Sequence, residues 1–136
     1  MTVSHSASDE ALLDLVQRQT FRCFWDLAHP ASGLVRDRSD VHPLYGPDAV
    51  TTGGSGFGVM SVVAACSRGW IGRGEAVDRL GLVVRFLERA ESFHGIFPHF
   101  LDGRTGRTIP FSRKDDGGDI VETAFLFVGL LCARQY

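Results

Sequence analysis

Carboxylates are concentrated in one short stretch of this chain, Lys114 to Thr123, which runs directly into an apolar segment, Ala124 to Ala133. Within eight positions lie four acidic residues, divided by a glycine pair: Asp115, Asp116, Asp119 and Glu122. Carboxyl pairs with different proton affinities are what glycoside hydrolysis requires. Acids also occur at helix starts for structural reasons, because they accept hydrogen bonds from free N–H groups and suit the positive end of the helix dipole. The acidic residues can therefore be interpreted either as acid catalysts or as helix caps.

The spacing of two of these acids suggests separate roles. Asp119 and Glu122 are three residues apart, which places their Cβ atoms about 5–6 Å apart on one face of a helix. Like charges at this distance raise the proton affinity of one carboxyl group. The helix dipole favours Asp119 as the anion, whereas Glu122, further in beside apolar residues, gains less from it. We therefore expect Glu122 to be the protonated acid and Asp119 the carboxylate, with Asp115 and Asp116 orienting a water or a sugar hydroxyl.

A cation site is the rival interpretation of the acidic stretch, because Mg²⁺ and Ca²⁺ prefer clustered oxygen ligands. The sequence lacks the spacing of a 12-residue EF-hand loop, and no pair of its three cysteines has zinc-site spacing. His94, His99 and Asp102 offer further ligand atoms, but loop histidines beside aromatic residues are more often structural or substrate-binding groups. We predict no metal and no cofactor.

Four segments have helical patterns, and two kinds of helix alternate along the chain. The first, Asp9 to about Ala28, and the third, about Glu75 to Phe93, are amphipathic. The second is opened by the Gly-rich residues 51–58 and runs to about Arg68, while the fourth runs from near Asp119 through Cys132; both are apolar on nearly all sides. This alternation predicts antiparallel hairpins with outer and inner members, as in an α/α barrel. A plain four-helix bundle would give four helices of similar polarity.

Two irregular segments connect these helices. Residues 30–54 show no period, and a connection of this length is usually functional or disordered. In residues 94–112, two turn sequences, Asp102-Gly103 and Thr105-Gly106, lie between apolar flanks and predict a short β-hairpin. Residues 51–58 are not a phosphate loop, because no Lys-Ser/Thr follows and no strand pattern precedes them. Their glycines either line a ligand site, with Ser55 binding the ligand, or allow close helix packing.

Composition excludes several classes of function. The chain has 136 residues, of which 44% are hydrophobic and 22% charged, as expected for one soluble domain or part of one. A net charge of -2 gives no basic surface for nucleic acid or membrane. Residues 1–8 are expected to be disordered and carry no secretory signal, which leaves the compartment open. The three cysteines are expected to be buried free thiols.

Five motifs in order resemble the glycoamylase-like domain family, which includes bacterial endo-β-1,2-glucanases of glycoside hydrolase family 144 and domains of cyclic β-1,2-glucan synthases. The motifs are QRQTF at 17–21, FWD at 24–26, TTGGSGFG at 51–58, FPHFLDG at 97–103 and KDDGGD with VET at 114–123. The resemblance covers about residues 10–136. It implies an (α/α)6 barrel and inverting hydrolysis of β-linked glucan. The family's acidic candidates map onto Asp115, Asp119 and Glu122.

The family domain has twelve barrel helices, and this chain offers about four. We therefore predict an all-α fold over residues 9–136: antiparallel hairpins forming the N-terminal part of the barrel of a β-glucan hydrolase, with β-1,2-glucan the favoured substrate. Such a part is expected to be inactive alone. The expected sugar-binding residues are Ser55, Phe97, His99 and Asp116. The alternative is a non-catalytic helical binding or assembly module that self-associates through exposed inner helices.

Overall fold

Helices and one small sheet make up the fold, which a computed structural model describes for residues 8–38 and 45–136. In chain order the elements are α1 Asp9–Asp26, β1 Ala49–Thr51, α2 Thr52–Ser67, α3 Arg73–Leu87, β2 Phe100–Asp102, β3 Thr108–Ile109 and α4 Ile120–Gln135. The predicted fold class, helical hairpins with a short β-hairpin, is confirmed. Of the predicted disordered terminus, only Ser8 lies among the described residues. No described helix combines the length and the hydropathy that a membrane span needs.

Local capping sets the helix starts where the sequence predicts them. Ser8 accepts a hydrogen bond of 3.3 Å from the N–H of Ala11 and caps α1, and Asp119 caps α4. The predicted end of α3 at Phe93 is wrong, because the helix ends at Leu87. Beyond it, the N–H of Glu91 donates to the carbonyl of Gly106 at 2.8 Å instead of continuing the helix. A contact with the hairpin therefore ends α3.

The sheet is antiparallel, in the order β1-β2-β3. Leu101 of β2 pairs with Val50 of β1 on one side and with Thr108 of β3 on the other. The β2–β3 pair is the predicted hairpin. Strand β1 lies within residues 30–54, so the prediction that this segment is irregular throughout, with no strand before the Gly-rich sequence, is wrong. A strand of three residues is too short to show an alternating pattern.

Helices α2 and α4 run parallel and in close contact. Their starts meet where Gly53 faces Glu122, and their ends meet where Cys66 and Tyr136 line the same small cavity. Between these points, a Cβ atom at Gly56 would collide with the backbone around Phe125. A Cβ atom at Gly129 would likewise collide with the backbone of Gly56. Glycines therefore permit this crossing, as one of the two interpretations of residues 51–58 predicts.

Leu34, Val50, Phe86, Leu101 and Leu126 are fully buried and join the sheet, α3 and α4 in one core. The opposite face of α4 exposes apolar side chains: Ile120, Val121, Phe125, Phe127, Val128 and Leu131. The three cysteines are free, as expected, but their predicted burial is wrong: one is partly buried, and the other two lie on exposed faces of α1 and α4. The inner helix α4 is thus covered on one side only.

Candidate active site

The site is built on the start of α4, which residue 97 holds in place. The N–H of Asp119 donates to the carbonyl of Phe97 at 2.8 Å, and the N–H of Phe97 donates to Oγ1 of Thr123 at 2.9 Å. Oδ1 of Asp119 accepts hydrogen bonds from the N–H groups of Val121 and Glu122, at 2.9 and 3.0 Å. The capping interpretation of the acidic stretch is therefore confirmed for Asp119.

The second oxygen of the Asp119 side chain meets a histidine. Oδ2 lies 3.2 Å from Nδ1 of His99, and the two side chains are only 21% and 25% exposed. Partial burial raises the pKa of Asp119, but the hydrogen bonds from the N–H of Glu122, from His99 and from the N–H of Val121 outweigh it, so that the pKa lies below its usual value. These hydrogen bonds therefore favour the carboxylate form of Asp119.

Asp115 lies in a tight turn that directs it toward this pair. The N–H of Phe111 donates to the carbonyl of Asp115 at 2.9 Å, and the N–H of Asp115 donates to the carbonyl of Ser112 at 3.1 Å. A ring nitrogen of His99, a carboxylate oxygen of Asp115 and a carboxylate oxygen of Asp119 all lie within 4.8 Å of one another. Asp116, the next residue, is exposed.

One imidazole nitrogen and two carboxylate oxygens could hold a metal ion as well as transfer a proton. The carboxylate of Asp119 already accepts two backbone hydrogen bonds and lies beside His99. These contacts fix the position of the carboxylate, and they are compatible with either chemistry. Among the described residues, the alternative set of His94, His99 and Asp102 does not come together. Asp102 accepts hydrogen bonds from the N–H groups of Arg104 and Thr105 within the hairpin turn.

Glu122 does not join the group formed by His99, Asp115 and Asp119. Its Oε2 accepts a hydrogen bond of 2.8 Å from the N–H of Gly53, and Oγ1 of Thr51 lies 3.4 Å from the same oxygen. The carboxylate therefore turns toward the start of α2.

The four residues expected to bind sugar differ in their burial and in their distance from the acidic group. Ser55 is buried: its hydroxyl donates to the carbonyl of Thr51 at 2.6 Å and accepts from the N–H of Val35 at 2.9 Å. It serves the fold, which corrects the expectation that it faces a ligand. Phe97 is partly buried against the core, so its backbone acts at the site. His99 lies beside Asp119, whereas Asp116 is exposed and follows Asp115 in the chain.

Two aromatic residues of the site were missed in the sequence. The ring centroid of Phe111 lies 4.6 Å from that of His99, and the Tyr45 ring lies 4.5 Å from Phe100. The hydroxyl of Tyr45 donates to the carbonyl of Phe111 at 3.4 Å, while the Phe111 side chain is 44% exposed. Phe111 follows Pro110 just before the acidic stretch, and this position is only a weak indication that it belongs to the site. Tyr45 lies in the irregular segment, where no sequence pattern indicates a role at the site.

Comparisons with known proteins show that the chain is similar to part of several glucan hydrolases. The chain is 49% identical over 134 residues to an exo β-1,2-glucooligosaccharide sophorohydrolase from Parabacteroides distasonis, which matches 98% of this chain and 18% of that protein. It is 48% identical to the endo-β-1,2-glucanase from Chitinophaga pinensis, solved with sophorotriose and glucose, with a TM-score of 0.93 over 96% of this chain and 32% of that one. A candidate glucoamylase from Bacteroides uniformis gives 52% identity and a TM-score of 0.90, over 96% and 31% of the two chains. No family model matches.

The resemblance found in the sequence is thus confirmed, because the chain is homologous to one portion of these glucoamylase-like proteins. It spans about a fifth of the length of the curated relative and about a third of the Chitinophaga pinensis and Bacteroides uniformis chains. The described residues form four helices, and the two solved chains are about three times as long as this one, which agrees with the predicted partial barrel.

Proposed function

We propose that this chain, a relative of β-1,2-glucan hydrolases over nearly its whole length, forms one wall of the active site of an enzyme that hydrolyses β-1,2-glucan. The observation that carries the proposal is the grouping of His99, Asp115 and Asp119 at the start of an inner helix. Acids positioned by a helix start and a histidine suit the protonation and water activation of glycoside hydrolysis.

Within this site, Asp119 acts as a carboxylate, because its hydrogen bonds stabilise the anion. His99 orients Asp119 and offers its other ring nitrogen to a sugar hydroxyl. Asp115 is the second acidic group, and the exposed Asp116 lies at the edge of the site, where it binds a hydroxyl. The exposed face of Phe111, supported by Tyr45, is suited to stacking against a glucose ring.

The inverting mechanism that the family resemblance implies sets a further requirement. Inverting enzymes hold their two carboxyl groups roughly 6.5–9.5 Å apart, with water between them. One carboxylate oxygen of Asp115 and one of Asp119 lie within 4.8 Å of each other, which is below this range. An inverting enzyme built on this chain therefore takes its second catalytic carboxyl from the part of the relatives' length that the chain does not span.

The proposal is tested in a chimera in which this chain replaces the matched third of the Chitinophaga pinensis endo-β-1,2-glucanase. Release of reducing ends from linear β-1,2-glucan is expected, and Asp119→Asn and Asp115→Asn are each expected to lower kcat about 100-fold or more. Asp78→Asn, on the exposed side of α3, is the matched control and is expected to leave kcat unchanged. A folded chimera without hydrolysis contradicts the proposal.

A second function is favoured by the exposed apolar face of α4. Ile120 is 71% exposed and Val128 is 53% exposed, and apolar patches of this kind mark interaction surfaces. In a non-catalytic assembly module, this face would pair with a second copy of the chain. Sedimentation of the 136-residue chain separates the two functions: a stable dimer without affinity for sophorotriose favours the module.

A further inference from the structure

The parallel arrangement of α2 and α4 brings two positive helix ends side by side. Each helix start has N–H groups without partners inside the helix, and a partial positive charge of about half an elementary charge. Adjacent ends of this kind repel each other unless anions lie between them. Asp119 supplies one carboxylate, and Glu122, at the third position of α4, supplies the other.

Glu122 departs from the usual behaviour of a glutamate at this position. In a capping box, the side chain of the third residue accepts a hydrogen bond from the N–H of the capping residue. Helix α3 follows this rule, because Oε2 of Glu75 accepts from the N–H of Gly72 at 2.7 Å. In α4 the N–H of the capping residue Asp119 is already bound to the carbonyl of Phe97. Glu122 is therefore free to cap α2 instead.

Gly53 makes this contact between the two helices possible. A Cβ atom at position 53 would lie 2.6 Å from Oε2 and 3.3 Å from Cα of Glu122. Since real Cβ atoms are not found 2.6 Å from a neighbour, a larger residue at position 53 would displace the carboxylate or separate the helices. Glycine is needed here for space.

The Glu122–Gly53 hydrogen bond closes a ring of contacts around the proposed site. The N–H of Thr52 donates to the carbonyl of His99 at 3.1 Å, and the next N–H, of Gly53, donates to Glu122. The N–H of Glu122 donates to Asp119, whose other oxygen meets the His99 ring. Each member of the ring therefore constrains the distance between His99 and Asp119.

We propose that Glu122 is a positioning residue of the proposed hydrolytic site, which acts as a carboxylate by capping α2 through Gly53 and so holds Asp119 at hydrogen-bonding distance from His99. This differs from the sequence-based expectation that Glu122 donates a proton. The positioning role of Glu122 rests on the proposed function in one respect only, namely that the site it positions hydrolyses glucan.

Amide exchange and the ring C–H resonances of His99, measured by NMR on the 136-residue chain, test the contact without any substrate. Glu122→Ala is expected to speed exchange of the Gly53 amide about 10- to 100-fold, as for loss of a hydrogen bond to a charged group, and to shift the His99 resonances. Glu122→Gln keeps an acceptor oxygen, so both effects are expected to be smaller. Glu75→Ala removes the matched glutamate of α3 and is expected to change neither signal.

A glycine pair gives an independent test in which Glu122 is retained. Gly53 and Gly74 are both the second residue of their helix, but a Cβ atom at Gly74 meets nothing within 4 Å. Gly53→Ala is expected to reproduce the His99 shift of Glu122→Ala, whereas Gly74→Ala is not. The proposal is overturned if Glu122→Ala changes neither the exchange of the Gly53 amide nor the resonances of the His99 ring, and if Gly53→Ala leaves the His99 ring unchanged.

Hydrolysis by the chimera then separates positioning from proton donation. If Glu122 positions the site, Glu122→Gln keeps kcat within about tenfold and leaves the pH profile unmoved, whereas removal of a general acid costs about 10²–10⁴-fold. A 10²-fold loss together with loss of one limb of the pH profile contradicts the positioning role. If the unsubstituted chimera does not hydrolyse glucan, the proposed function fails, and the NMR result still decides the Glu122–Gly53 contact.

Discussion

The Asp119 carboxylate lies 3.2 Å from the imidazole Nδ1 of His99, and this contact joins the start of α4 to the residue that precedes strand β2. Two elements that are distant in sequence thereby present a carboxylate and a titratable ring on the same side of the molecule. The arrangement is suited to binding a polar substrate through hydrogen bonds.

Loss of the Asp119 side chain is expected to reduce stability as well as activity. Asp119→Ala removes the acceptor of two hydrogen bonds at the start of α4, and loss of such a cap costs about 1 kcal/mol. Asp119→Asn keeps an acceptor oxygen and is expected to lose less stability than Asp119→Ala. Urea unfolding of the two variants measures the difference. Equal stability of Asp119→Ala and the unsubstituted chain would show that the cap contributes nothing.

The stabilisation by the Asp119 charge is expected to depend on pH. Because the folded-state pKa lies below the usual value of 3.8, the unfolded chain binds this proton more readily than the folded chain does. The charge therefore adds stability above pH 3.8, and this contribution is lost as the pH falls through the folded-state pKa. Asp119→Asn is expected to be less stable than the unsubstituted chain near neutral pH, with a difference that narrows in acid. Unfolding free energies measured across this range check the sign, and a difference that widens in acid contradicts it.

The close crossing of α2 and α4 predicts an unusual response to alanine. Gly→Ala within a helix normally stabilises it by up to about 1 kcal/mol, and Gly74→Ala in α3 is expected to behave in this way. At Gly56 and Gly129 the added methyl group would meet backbone of the other helix, so overpacking is expected to cost about 1–3 kcal/mol. Thermal denaturation distinguishes the two cases. Stabilisation by Gly56→Ala would mean that the helices do not cross here.

Aromatic stacking at the edge of the site is expected to contribute to sugar binding. Phe111→Ala removes an exposed ring beside His99, and we expect affinity for sophorotriose to fall about three- to tenfold, the usual range for one aromatic contact. Tyr136→Ala is the matched control, because this half-exposed ring lies at the other end of α4, about 24 Å away. Titration calorimetry on the chimera measures both. A loss of affinity equal in the two variants argues against a specific platform.

Contacts close in sequence account for what could be predicted. The caps at Ser8 and Asp119 depend on residues within three positions, so the helix starts could be read from the sequence. The contact of Glu122 could not be predicted, because its carboxylate accepts a hydrogen bond from the N–H of Gly53, 69 positions away. The early end of α3 has the same origin, since the hairpin takes the N–H of Glu91.

Burial also decides which of the predicted site residues are available to a ligand. Asp115 and His99 were identified by residue type and lie together near Asp119. Ser55 has a suitable side chain in a motif of the right kind, but its hydroxyl is consumed by Thr51 and Val35. Only the tertiary structure reveals which polar side chains of such a motif face inward.

Hydrolysis of linear β-1,2-glucan by the chimera carrying this chain is the most direct test of the central claim. Release of reducing ends is expected, and it is expected to fall about 100-fold or more with Asp119→Asn and to be unchanged by Asp78→Asn. A folded chimera that hydrolyses the glucan equally well with asparagine at positions 115 and 119 would contradict it.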